Sequence, residues 1–506
     1  MQLKKLYIND YKILKDFTIE FPYDFKKYIS VLIGTNGSGK STILEAIAQI
    51  FSSILLNEKA KFGFELEYSV SFENITEETF NSSEFRIAYI LVKLKANEGE
   101  EVNISIDSGM DNTDFTDKII TGKHKVIFSQ GSRNVALSYL PGNIVIYYSG
   151  LSEIMQELVE PHNEIISTAY RKNNTLAERD FFYFQPEHFG IILTSLLSFE
   201  YGDIPDFLRT KSKINGVQSI QIRLQKPEWA SDSIQNFWGA KGEVRNFLDY
   251  LNENSATADD LANPDNSKGI GNIIIETFQD EAIIITIISQ ERLFEIRNHL
   301  IEERKLFEIL NIIFADGMLN DISFSLKKAG EEYQTFGELS EGEQQAIIIK
   351  GLTELLSEKN SLFLFDEPDT YLHPKWQRQF ITDIEGAVDS SYNSENSFVI
   401  ATHSPQLLSN AQSELNFVKI IEDGDLIENT PKYYGREINS ILYDLMGVEE
   451  RNKLVSDKIS DLYTLIAEED IEDAESSLKE LQDLIGKDDP ELKRAEIQIT
   501  YLKEDE

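Results

Sequence analysis

The sequence predicts an α/β fold: a mixed core sheet, an antiparallel β subdomain, a helical insertion and a helical C-terminal tail. Three observations carry this. A glycine-rich loop, Gly34 to Ser41, joins an apolar strand to a helix with one apolar face. Two further apolar runs, Ile144 to Tyr148 and Leu362 to Phe365, read as strands covered on both sides. Beyond Glu449 the pattern is helical to the end.

Composition bounds the reading. At 506 residues and 57.9 kDa the chain has length for roughly three domains. Hydrophobic residues are 41% and charged residues 27%, as in soluble globular proteins. No run of apolar residues is long enough to span a membrane, and the start, Met1-Gln2-Leu3-Lys4-Lys5, lacks an apolar signal core. A cytoplasmic protein without a membrane partner is expected. The chain has no cysteine, which excludes disulfides, thiol catalysis and cysteine-ligated zinc. The net charge is −39, from 87 acidic and 48 basic residues. Such a surface repels a phosphate backbone on average, so nucleic acid needs a local basic patch or a partner that supplies one. Solubility alone would also favour the acidity.

Taken in order, Leu3, Leu6 and Ile8, then Phe17, Ile19 and Phe21, alternate as two strands of a hairpin. Ile29 to Ile33 is a buried strand leading into the glycine-rich loop. From Lys40 to Phe51, Ile43, Ile47 and Ile50 share a helical face. Strands are expected over 62–72, 86–95, 102–106, 125–128 and 144–148, closing a first lobe at 1–150. Residues 151–330 read as a mainly helical insertion, with a loop over 252–272. Over 273–315, which lacks Gly and Pro, Ile284, Ile288, Phe294, Ile301, Phe307 and Leu310 fit helical packing. A second lobe, 331–448, holds strands at 362–365 and 398–401 and a hairpin of 417–421 with 426–427. The tail, 449–506, carries 19 acidic and 8 basic residues. Its two apolar stripes are Val455, Ile459, Leu462 and Ile466, and Leu478, Leu481 and Ile485, separated by an acidic linker, Glu468 to Glu475. The stripes either pack together or dock a second subunit.

Three motifs carry chemistry. Gly34-Thr35-Asn36-Gly37-Ser38-Gly39-Lys40-Ser41 matches the phosphate-binding loop in full. Its glycines let backbone N–H groups turn inward around phosphate oxygens, and the following helix adds its positive end. Lys40 would reach the β and γ phosphates of ATP and Ser41 would ligate Mg2+. Gly34, Thr35, Asn36, Gly37, Ser38, Gly39, Lys40, Ser41 and Thr42 are the candidate nucleotide-binding residues. Leu362-Phe363-Leu364-Phe365-Asp366-Glu367 would deliver two carboxylates to a sheet edge. Asp366 would hold Mg2+, directly or through water, and Glu367 would orient or deprotonate the attacking water. Leu339-Ser340-Glu341-Gly342-Glu343-Gln344-Gln345 precedes a helical run and also reads as a capping box of Ser340 with Glu343.

Together these motifs resemble the ATP-binding-cassette (ABC) ATPases, in the LSxGExQ form of the SMC, RecF and OLD-type branch. The order agrees, with 24 residues from Gly342 to Asp366. The resemblance implies an ABC-type P-loop ATPase fold. It makes Asp369 the D-loop residue and His403 the switch histidine at the γ-phosphate. It also implies head-to-tail pairing, in which Ser340 and Gly342 of one copy bind the γ-phosphate on the other. The Q-loop glutamine is open among Gln130, Gln156 and Gln185.

With no long arms, no zinc hook and no membrane helices, the chain most resembles the stand-alone ATPases of Septu systems and of retrons with a Septu-like effector. Gly435 to Leu442, Met446-Gly447-Val448 and Gly486 to Leu492 carry that likeness. Asp423-Gly424-Asp425 reads as a hairpin turn rather than a Toprim acidic pair. The resemblance implies a Mg-dependent anti-phage ATPase, at least a dimer, that regulates a separate HNH nuclease and reaches nucleic acid through it. The alternatives are a RecF-like repair ATPase that binds DNA itself and a nucleotide-gated scaffold with little turnover.

Overall fold

The structure, a computed structural model, describes residues 1–22, 28–73, 87–107, 139–150, 152–173, 181–256, 273–301, 303–328, 333–335, 339–357, 360–390, 396–412, 416–427, 430, 432–436, 440–441, 443 and 451–505. The chain forms two compact units, Met1–Thr430 and Pro431–Glu506. The first expected lobe, the insertion and residues 331–430 of the second lobe fall in the first unit, and residues 431–448 fall in the second. Among the described residues, no helix is long and apolar enough to cross a membrane.

The first sheet is antiparallel. Strands β1 (Gln2–Tyr11) and β2 (Leu14–Glu20) form the expected hairpin. After β3 (Ile29–Ile33), strands β4 (Phe64–Glu73), β5 (Ile87–Ala96) and β6 (Asn103–Asp107) complete the order β2-β1-β4-β5-β6. The strand expected over 125–128 lies outside the described residues. The helix Lys40–Leu56 is buried on nearly every side, from Ile43 to Ile54. It shares one hydrophobic core with strands of this sheet and of the central sheet. A helix so enclosed is apolar almost all round, which is why its pattern exceeds one stripe.

The central sheet positions the site. It adds β7 (Ile144–Tyr148) and β8 (Phe181–Tyr183) to β3. Later come β14 (Leu362–Asp366), β15 (Ser397–Thr402), β16 (Asn416–Glu422) and β17 (Asp425–Ile427). The order is β17-β16-β3-β15-β14-β7-β8, and only the β16–β17 pair is antiparallel. In register, Thr402 lies opposite Ile33, and Asp366 lies opposite both Ala401 and Tyr148. The carboxyl ends of four strands therefore meet along one edge, where ligands bind in open α/β sheets. All five residues of β14 are buried, and Phe363 stacks on Phe398 of β15 at 4.6 Å. Each fully buried side chain of this size contributes roughly 1.5–3 kcal/mol.

The segment 151–330 is mainly helical but also holds strands the sequence reading did not anticipate. Strands β9 (Ile214–Gln225), β10 (Ile273–Phe278), β11 (Ala282–Ile288), β12 (Leu319–Lys328) and β13 (Tyr333–Thr335) form a second antiparallel sheet, β10-β11-β9-β12-β13. Residues 273–288 are thus a hairpin, with helix only from Gln290. Its turn uses Gln279 and Asp280, both with positive φ. Such a turn usually announces itself by Asn or Gly, and the missing punctuation made the run look helical. Ile301, with φ of 76° and 80% exposed, breaks the helices on either side and is not on their packed face. Of the loop expected over 252–272, residues 257–272 lie outside the described residues.

In the second unit three helices, Lys453–Ala467, Ile471–Ile485 and Pro490–Asp505, pack together. Ile459, Leu462 and Ile466 meet Leu478, Leu481, Leu492, Ala495 and Ile499 in a separate core. The two stripes bury each other and a third helix. The linker shrinks to residues 468–470, because Asp470 caps the second helix by accepting from the Asp473 backbone N–H.

Candidate nucleotide site

The glycine-rich loop leaves β3 and coils before the helix. Gly37 and Gly39 have φ of 79° and 109°, conformations costly for any other residue. Gly34 is needed for space: a Cβ there would lie 2.1 Å from the Ile421 carbonyl oxygen. The β16–β17 turn also closes on the loop, with Gly424 N–H donating to the Ser38 carbonyl at 2.8 Å. Asp423-Gly424-Asp425 is therefore a hairpin turn, as expected, and braces the loop. Lys40 Nζ donates to the carbonyls of Gly34 and Thr35 at 3.0 and 2.9 Å. Burial lowers its pKa, while Glu367 and Asp366 push it back up. Thr35, Asn36 and Gly37 are exposed at the tip, and Ser41 and Thr42 are half-buried on the first helical turn.

Asp366 ends β14 with both carboxylate oxygens buried and without a hydrogen-bond partner. Burial raises its pKa to about 7; the Ser41 hydroxyl and Lys40 pull the other way. A buried acid beside a serine hydroxyl at a phosphate-binding loop fits Mg2+, which takes one or two carboxylates and fills its shell with water and phosphate oxygens. Among the described residues, no group of three or more His, Asp or Glu forms a separate metal site. Ser38 Oγ, buried and also without a partner, suits a phosphate oxygen.

Glu367 adopts φ of 50°, a strained conformation for this residue type, and its N–H donates to the Ala401 carbonyl at 2.8 Å. His403 Nδ1 lies 2.6 Å from Glu367 Oε2, so the imidazole donates to the carboxylate from the neighbouring strand end. The sheet edge thus brings together Lys40, Ser41, Asp366, Glu367 and His403. Asp369 is 1% exposed and accepts from Thr402 Oγ1 at 2.8 Å, bracing the turn after β14 from within. Burial raises its pKa to about 6, against the Thr402 hydrogen bond.

Ser340 caps the helix Glu341–Leu355 in a full capping box with Glu343. A Cβ on Gly342 would lie 2.9 Å from the Tyr371 carbonyl oxygen, so this glycine is required inside the chain whatever it does across a pair. Gln345 fastens the same helix to the turn, donating to the Pro368 carbonyl and accepting from Tyr371 N–H at 3.1 Å.

Of the glutamines considered, Gln156 is exposed on a helix, Gln185 follows β8, and Gln130 lies outside the described residues. The residue beside Asp366 on β7 is Tyr148, whose pKa is raised by burial and by the Asp366 and Glu367 charges. Sequence reasoning missed Tyr148, Gln345 and Thr402, since only strand order and register reveal their neighbours.

The fold and the site define a P-loop ATPase. Residues 1–408 match the AAA ATPase domain family, and the chain belongs to that family. It is similar to the retron Vc95 probable ATPase of Vibrio cholerae serotype O1 biovar El Tor, with 23% identity over 470 residues, 86% of this chain and 79% of that protein. It is also similar to the Septu protein PtuA of Bacillus thuringiensis, with 27% identity over 148 residues, 28% of this chain and 36% of that protein. Among solved structures it is similar to an SMC head bound to the C-winged helix domain of ScpA. That match has 15% identity and a TM-score of 0.33, and covers 84% of this chain and 98% of that one.

Proposed function

We propose that this chain is the ATP-hydrolysing subunit of an anti-phage defence complex, that its ATPase domains pair head to tail, and that it regulates a separate HNH-type nuclease. The carrying observation is the meeting of Lys40, Ser41, Asp366 and Glu367 on one sheet edge, with His403 holding Glu367. Lys40 balances the β and γ phosphate charge, and the loop N–H groups orient the triphosphate. Ser41 and Asp366 hold Mg2+, which when bound neutralises phosphate charge. His403 engages one oxygen of Glu367, leaving the other to orient the attacking water. Ser340 and the helix end behind it receive the γ-phosphate from a second copy. Similarity to the retron ATPase and the Septu protein supports the defence role.

Ser340→Asp tests the pairing. Aspartate preserves the N-cap but places a carboxylate where the γ-phosphate belongs. Gly342→Asp is a poorer probe because of the Tyr371 carbonyl. The variant should bind nucleotide as single subunits yet neither pair nor hydrolyse, and should fail to protect cells carrying the chain with its neighbouring nuclease frame. Parental hydrolysis by Ser340→Asp would exclude head-to-tail pairing.

A further inference from the structure

The receiving end of the signature helix already holds a negative charge. Glu343 Oε2 accepts from the Ser340 backbone N–H and from Ser340 Oγ, both at 2.9 Å. Its other oxygen accepts from Lys328 Nζ at 3.1 Å. Lys328 is the last residue of β12, so this cation is supplied by the second antiparallel sheet. Both side chains are shielded, at 13% and 15% exposure, where an ion pair is weakly screened by solvent. A carboxylate suits the helix dipole but repels an incoming phosphate.

We propose that Lys328 is a positioning residue for the γ-phosphate-receiving end of the signature helix: it neutralises Glu343 while Glu343 holds Ser340 in place. This rests on the head-to-tail reading and adds to it a cation from outside the recognised motifs. It also gives the inserted sheet a physical handle on pairing, because displacing β12 withdraws the charge.

The experiment uses the full chain carrying Glu367→Gln, and ATP-driven pairing is read by analytical ultracentrifugation. Lys328→Met should weaken pairing by at least about tenfold, through uncompensated repulsion. A fluorescent ATP analogue should bind single subunits as before. Lys328→Arg should pair normally. Adding Glu343→Gln to Lys328→Met should restore pairing, because glutamine keeps the capping box and removes the charge. A purely structural lysine would not be rescued this way. Parental pairing by Lys328→Met, failure of Glu343→Gln to restore it, or loss of single-subunit nucleotide binding would each overturn the role of Lys328. If the Glu367→Gln chain does not pair with ATP at all, the head-to-tail reading itself fails, and Lys328 with it.

Discussion

Glu367 combines three restraints: a positive φ, a backbone bond to Ala401 and the imidazole of His403. A residue tied to the end of the neighbouring strand β15 is suited to orienting a water, whereas Lys40 is tied into the glycine-rich loop. The two residues should therefore fail differently. Lys40→Ala should weaken nucleotide binding itself. Glu367→Gln should retain ATP and Mg2+ and slow hydrolysis by roughly 10²–10⁴. Equilibrium binding of a fluorescent nucleotide beside single-turnover hydrolysis separates these effects, and equal loss of binding in both would contradict the division. Both residues were legible in the sequence, because the phosphate-binding loop and the paired acids are local patterns. The partnership of His403 with Glu367 was not: it requires β14 and β15 to lie side by side in parallel.

At the scale of elements, the inserted segment joins its pieces through a buried carboxyl, Asp316, which meets the part-exposed Arg171. Arg171 Nε lies 3.0 Å from Asp316 Oδ1, between the helix Glu153–Asn173 and the turn before β12. Burial raises the Asp316 pKa from 3.8 to about 7, against the pull of Arg171. The native state therefore holds this proton more tightly than the unfolded chain. Its contribution to stability is full below about pH 4 and is lost as pH rises through 7. Asp316→Asn removes the titration. Relative to the parent, it should gain on the order of 2 kcal/mol between pH 5 and pH 8. Trp229, whose indole N–H donates to the Asp316 carbonyl at 2.8 Å, gives a fluorescence signal for urea unfolding at both pH values. A pH-independent difference would refute the assignment. Strands β10 and β11 were hidden in the sequence because an isoleucine-rich run without Gly or Pro fits either period, and only pairing partners decide between them.

For the whole molecule, the division after Thr430 matters more than the change of composition at Glu449. The helical unit closes its own core through Leu462, Leu481 and Leu492, so its stripes need no partner to bury them. A docking role, if this unit has one, falls to its outer surface, where Leu454, Leu484, Ile497 and Tyr501 are exposed. A chain ending at Thr430 should stay folded and bind nucleotide with parental affinity, because every site residue lies before that point. On the proposed function it should also lose the nuclease partner and protection against phage. Circular dichroism, nucleotide titration and co-purification with the neighbouring gene product read these outcomes. Undiminished capture by the folded truncation would remove the C-terminal unit as the docking element.

The sequence by itself determined the chemistry: a loop that turns N–H groups inward, a lysine, a serine and paired acids at the end of an apolar strand. Each is set by neighbours a few residues away, which is why each is visible as a motif. Tertiary structure alone decided which groups meet. Parallel register set Tyr148 beside Asp366 and brought His403 to Glu367. The return of β16 and β17 laid Gly424 against the phosphate loop, and β12 carried Lys328 to the signature helix. Such contacts join segments separated by up to several hundred residues, and they arise from strand order and close packing, which no local pattern encodes.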